Sequence, residues 1–163
     1  MSAAAAPGGD LLALEFVDAA DADLHVLATD GHLLGDPLLA QRARTMVGLL
    51  RNLRQESRAD RTLLCVADGP RSSLALLLAQ AACGEADALA LQGAPLTLLE
   101  AFEGAPPAVD TYAWRLLEIA DVRDLVRAFG RLGHEVAVGD EEALVYFSPE
   151  IYHARRMSSQ TLP

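Results

Sequence analysis

From Thr62 to Ala67 the chain reads Thr-Leu-Leu-Cys-Val-Ala, and Asp68-Gly69-Pro70 then turns it into a stretch of small and apolar residues. A short uncharged run bounded by turn signals predicts a strand buried on both faces, as in the middle of an α/β sheet. A proline just inside the next element, and Gly84 just past it, predict a helix over 70–83. A strand leading directly into a helix restricts the chain to layered α/β architectures. On this reading Leu63, Leu64, Cys65 and Val66 are core residues of a central strand.

The same punctuation recurs along the chain. Asp36-Pro37 opens a helix over 37–57, with apolar residues at Leu39, Ala43, Met46, Leu50 and Leu53. Gly48 inside that helix suggests a close helix–sheet contact. Residues 86–91 form a further strand candidate, 95–103 a short helix, and 109–117 another strand. Asp121 with Asp124 three residues on is close to a capping box, opening a helix that ends at Gly133. Glu135–Val138 and Ala143–Phe147 read as a terminal hairpin joined by Gly139-Asp140-Glu141-Glu142. Leu11–Val17 and Leu24–Thr29 alternate like a first pair of strands, the second turning at Asp30-Gly31. The expected order is ββαβαβαβαββ: a single-domain α/β fold over 10–157, with a mixed, mostly parallel sheet and flanking helices. Residues 1–9 read as a flexible leader and 158–163 as a polar tail.

A chain of 163 residues, 52% hydrophobic and 22% charged, can bury one proper core without a disulfide or metal. Cys65 and Cys83 have neither CxxC nor metal-ligand spacing, and read as buried, inert thiols in a reducing compartment. There is no basic signal-peptide start, and no apolar run approaches the length of about 20 residues that a membrane span needs. The expectation is a soluble, intracellular protein, cytoplasmic by default.

All thirteen basic residues are arginine, against 23 acidic ones, for a net charge of −10. The absence of lysine reads as GC-rich coding bias, and it removes Schiff-base chemistry and the phosphate-loop lysine. Six of the arginines fall in 42–61 against Glu56 and Asp60, so that segment carries +4 and the remainder −14. At about 100° per residue, Arg44, Arg51, Arg54 and Arg58 occupy one quadrant beside the apolar face of the first helix. Long side chains there can lay their stems on an interface and reach a carboxylate or phosphate with the guanidinium. The alternative is a solvated face paired with the chain's own carboxylates.

A second candidate is Asp68, Gly69, Arg71, Ser72 and Ser73, at the C-terminal end of a strand where α/β folds bind ligands. Backbone N–H groups, hydroxyls and Arg71 suit a phosphate or carboxylate, while capping alone would explain the same residue types. No GxGxxG, GxxxxGK[ST] or GxSxG is present. Leu63–Pro70 with its following helix faintly resembles, over about a dozen residues, the segment feeding the oxyanion hole in enoyl-CoA hydratase-type enzymes. It departs from that pattern at Arg71, Ser72 and Ser73, where the family has glycines. The run 62–117 is similarly comparable to the CoA-binding half of GNAT-type acetyltransferases, without their pyrophosphate loop.

His25, His32, His134 and His153 are dispersed, and neither Asp18/Asp21/Asp23 nor Asp140/Glu141/Glu142 has calcium-loop spacing. Tyr112 and Trp114 read as core, while Tyr146, Phe147 and Tyr152 are candidates for an exposed docking patch. No catalytic residue, metal ligand or cofactor is assigned. The leading expectation is a non-catalytic accessory or assembly protein whose partner has an acidic surface, with self-association among the possibilities. An acyl-CoA- or nucleotide-binding transferase or hydratase-like enzyme using 68–73 is the alternative. A nucleic-acid-associated factor is the weakest reading, because phosphate neutralisation dominates such binding and the chain is acidic.

Overall fold

The computed structural model describes residues 21–56, 62–95, 97–98 and 116–139. Within them the order is α1 (Asp21–Leu33), α2 (Leu38–Glu56), β1 (Leu64–Asp68), α3 (Pro70–Cys83), β2 (Ala88–Gln92), α4 (Leu116–Ile119), α5 (Val122–Arg131) and β3 (Glu135–Gly139). Helices and a three-stranded parallel sheet, ordered β1-β2-β3, make the fold α/β in kind.

Side chains alternate across the sheet as strand geometry requires. Cys65, Ala67, Leu89, Leu91, Val136 and Val138 face one core, together with α2, α3 and α5. Ala88 and Ala90 are fully buried on the opposite side, beside Leu64 and Ala137. α3 has no polar face: Leu74, Ala75, Leu76, Leu77, Ala79 and Gln80 are all buried. A helix so largely apolar must be covered on most of its sides, and only Pro70, Ala81 and Ala82 are exposed. Here the sheet lies on one side of it and α2 on the other.

Local punctuation is obeyed closely. α3 starts with Pro70 in its first turn, and Gly84 ends it in the left-handed conformation, its N–H donating to the Gln80 carbonyl. α5 carries a complete capping box, with Asp121 and Asp124 each accepting from the other's backbone N–H. The Asp121 carboxylate also accepts the Leu98 N–H at 2.7 Å, tying the preceding segment to the helix start.

Several expectations are corrected. Leu24–Thr29 is not a strand but the middle of α1, and Asp30-Gly31 does not turn the chain. The helix continues because Gly31 lets α1 come close to the start of α2. Ala28 is buried, and a Cβ on Gly31 would sit 2.8 Å from the Asp36 carbonyl oxygen.

The strand expected at the centre of the sheet is an edge among the described residues. β1 pairs only with β2, so Val66 is 49% exposed and Leu63, Leu64 and Cys65 are half-buried. The central strand is β2, whose residues 88–91 are fully buried. Its alternation of alanine and leucine sends the large side chains to the helices and the small ones to the other face.

Gly48 makes no close helix–sheet contact; it is exposed, with open space where a Cβ would stand. Leu116 and Leu117 begin α4 rather than ending a strand. β3 forms as expected and pairs parallel to β2. The second hairpin strand at 143–147, residues 11–17 and 109–115, most of the helix expected over 95–103, the leader and the tail lie outside the described residues.

Candidate functional site

The arginine stripe rides on α2, which turns Leu39, Arg42, Ala43, Met46 and Leu50 inward. Gln41, Arg44, Thr45, Gly48, Arg51, Asn52 and Gln55 are exposed. The stripe follows the flank between these faces, and its members have different environments. Arg44 forms an ion pair with Asp36, the residue before the helix-opening Pro37; both side chains are about half exposed. Arg51 stands two turns further on, exposed, with no ion-pair partner among the described residues. Arg58 lies outside them.

Arg54, rotated toward the core, is committed inside the molecule. Its guanidinium donates to the Glu85 carbonyl, at 3.0 Å from Nε, and to the Asp87 carboxylate at 2.8 Å. The same carboxylate oxygen of Asp87 accepts the Leu63 N–H at 2.7 Å, so one side chain ties α2, the entry to β1 and the entry to β2 together. Nothing in the sequence marks Asp87, because a lone Asp before a strand looks like an ordinary turn residue. Arg42 is buried on the opposite flank of α2.

The loop candidate is assembled as expected at the C-terminal end of β1 and the start of α3. Asp68 is exposed, and Gly69 occupies the N-cap position with φ 82° and no side-chain cap hydrogen bond. Arg71 and Ser72 are half-buried. Ser73 is fully buried, and its hydroxyl donates to the Gln92 carbonyl at 2.9 Å. That bond fastens the first turn of α3 to the end of β2, so this hydroxyl serves the strand–helix junction.

Gln80, unmarked in the sequence, closes the other end of α3. Its amide donates to the Ala86 carbonyl at 2.8 Å and accepts the Ala86 N–H at 2.9 Å, all in the buried interior. Buried backbone groups require partners, and here a side chain supplies both for one residue.

Both cysteines are free thiols. Burial pushes the Cys65 thiol up to about 12, with nearby Cys83 adding to the rise. A thiol so placed is protonated at neutral pH and is a poor nucleophile. His134 packs edge-on against Phe129, with ring centroids 6.3 Å apart, in the turn that follows α5. Among the described residues no group of three or more His, Cys, Asp or Glu could hold a metal ion, and no helix is long and apolar enough to cross a membrane. Tyr112, Trp114, Tyr146, Phe147, Tyr152 and His153 lie outside the described residues. No family model matches this chain, and no curated protein and no solved structure matches it either.

Proposed function

We propose that this chain is a non-catalytic accessory or assembly protein that works through protein–protein contact, with the outer flank of α2 as the surface that receives an acidic partner. The observation that carries this reading is the row Arg44, Gly48, Arg51 on a helix whose other side is buried in the core. Residues spaced four and three apart lie on one helical face, so the two guanidiniums bracket a gap where no side chain stands. A rigid helix holding two cations around an open backbone suits carboxylates on an apposed surface. The Arg44–Asp36 pair does not oppose this, because an exposed ion pair contributes only about 0–1 kcal/mol and exchanges partners readily.

Arg54 belongs to the frame of this surface rather than to its face. The discriminating variant therefore combines Arg44→Glu with Arg51→Glu and leaves Arg54 in place. Its circular dichroism and melting should match wild type within about 1 kcal/mol. Affinity capture from the native source should lose the acidic partner. Identical partner profiles for the two proteins would overturn the reading.

A further inference from the structure

α1 and the turn that follows it present an apolar stripe that nothing among the described residues covers. Val26 and Leu27 are more than half exposed, and Leu33 and Leu34, one heptad later, are 81% and 83% exposed. At about 100° per residue Val26, Leu27 and Leu33 fall within an arc of about 120°, with Asp30 at its centre, and Leu34 follows in the turn. Asp30 is exposed and has no ion-pair partner among the described residues. On the opposite face of α1 Ala28 is buried, and Gly31 comes close to Asp36 and Leu38 at the start of α2. Apolar positions repeating every seven residues around a single polar one are the pattern by which packed helices select partner and register.

We infer that a second copy of this chain covers the stripe, with α1 of each protomer lying along the outer flank of α2 of the other and each Asp30 meeting the partner's Arg51. The assignment rests on the reading of α2 as a contact surface and names the acidic surface it receives. Charge complementarity carries it. One helical pair displays both an exposed carboxylate set among leucines and an exposed guanidinium beside an open glycine. A two-fold axis uses such a pair of patches twice. Two α1 stripes packed on each other would instead bring Asp30 against Asp30, which costs energy where water is excluded. Gly48 lets the leucines approach the α2 backbone between Arg44 and Arg51.

The test is the mass of the full chain in solution, by sedimentation velocity at micromolar concentration. Wild type should sediment as a dimer, and Leu33→Ser combined with Leu34→Ser should sediment as a monomer. Asp30→Arg alone and Arg51→Asp alone should each weaken the dimer by tenfold or more. The two together should restore it, an outcome that misfolding cannot mimic. A monomeric wild type, or a dimer unaffected by these changes or not restored by the charge exchange, overturns the inference. A monomeric wild type whose Arg44→Glu/Arg51→Glu variant still loses an acidic partner would do so while leaving the contact reading of α2 standing. Unchanged partner profiles would remove that reading itself.

Discussion

Arg54 and Asp87, thirty-three positions apart, form a 2.8 Å ion pair that fastens α2 to the entry of the central strand. Asp87 also holds the Leu63 N–H, and Arg54 also holds the Glu85 carbonyl, so removing either partner strands more than one group. Charge-assisted hydrogen bonds contribute about 1.5–3 kcal/mol when well sheltered. With both side chains about a third exposed, Arg54→Ala should cost about 1–2 kcal/mol. A double-mutant cycle with Asp87→Ala, followed by urea denaturation, should show coupling above 0.5 kcal/mol in order of magnitude. Additive losses would mean that the pair does not stabilise the junction.

Gln80 is the more severe case. Gln80→Leu fits the space but leaves the Ala86 N–H and carbonyl buried without their partner. Each stranded group costs roughly 1–3 kcal/mol, so a loss of about 2–4 kcal/mol is expected. Amide exchange at Ala86 should accelerate with it. Wild-type protection in the variant would show that another group satisfies these atoms.

Leu89→Ala should destabilise the protein by about 2–5 kcal/mol, because Leu89 is fully buried in the strand that β1 and β3 flank. Val66→Thr, on the exposed side of β1, should stay within about 0.5 kcal/mol of wild type. Equal losses at the two positions would contradict the placing of β1 at an edge and β2 at the centre.

The Cys65 thiol should resist alkylation by iodoacetamide in the native protein at pH 8 and react once the chain is unfolded. Its proton is held more tightly in the folded state, with a value of about 12 against an ordinary 9.0. Between those limits the folded chain binds more protons than the unfolded one, so this group's contribution is complete below about pH 9 and is lost as pH rises toward 12. Cys65→Ala should flatten the fall in stability across that alkaline window. An unchanged slope would show that the thiol titrates alike in both states.

The helices α2, α3 and α5 and the strands β1, β2 and β3 were legible in the residues themselves, most boundaries lying within two positions of those expected. Each is announced by something local: Asp36-Pro37, Gly69-Pro70, Gly84, the Asp121–Asp124 box, or an apolar run of strand length. α1 was misread because Leu24–Thr29 alternates convincingly over so few residues. What favours a helix here is the close approach of Gly31 to Asp36 and Leu38 at the start of α2, a contact that no period within the segment reveals. Likewise an uncharged run says that a strand is buried without saying which neighbours bury it, and β1 proved to have only one among the described residues.

The candidate site divides along the same line. That Arg44, Arg51 and Arg54 share one flank of α2 follows from 3.6 residues per turn, and the sequence alone determined it. Which of them faces solvent and which clamps the interior was decided by tertiary structure. The carboxylate that engages Arg54 sits after a strand and a helix, and only folding carries it into reach. Capping and periodicity act within a few residues, whereas strand order and ion pairing depend on groups brought together from distant parts of the chain.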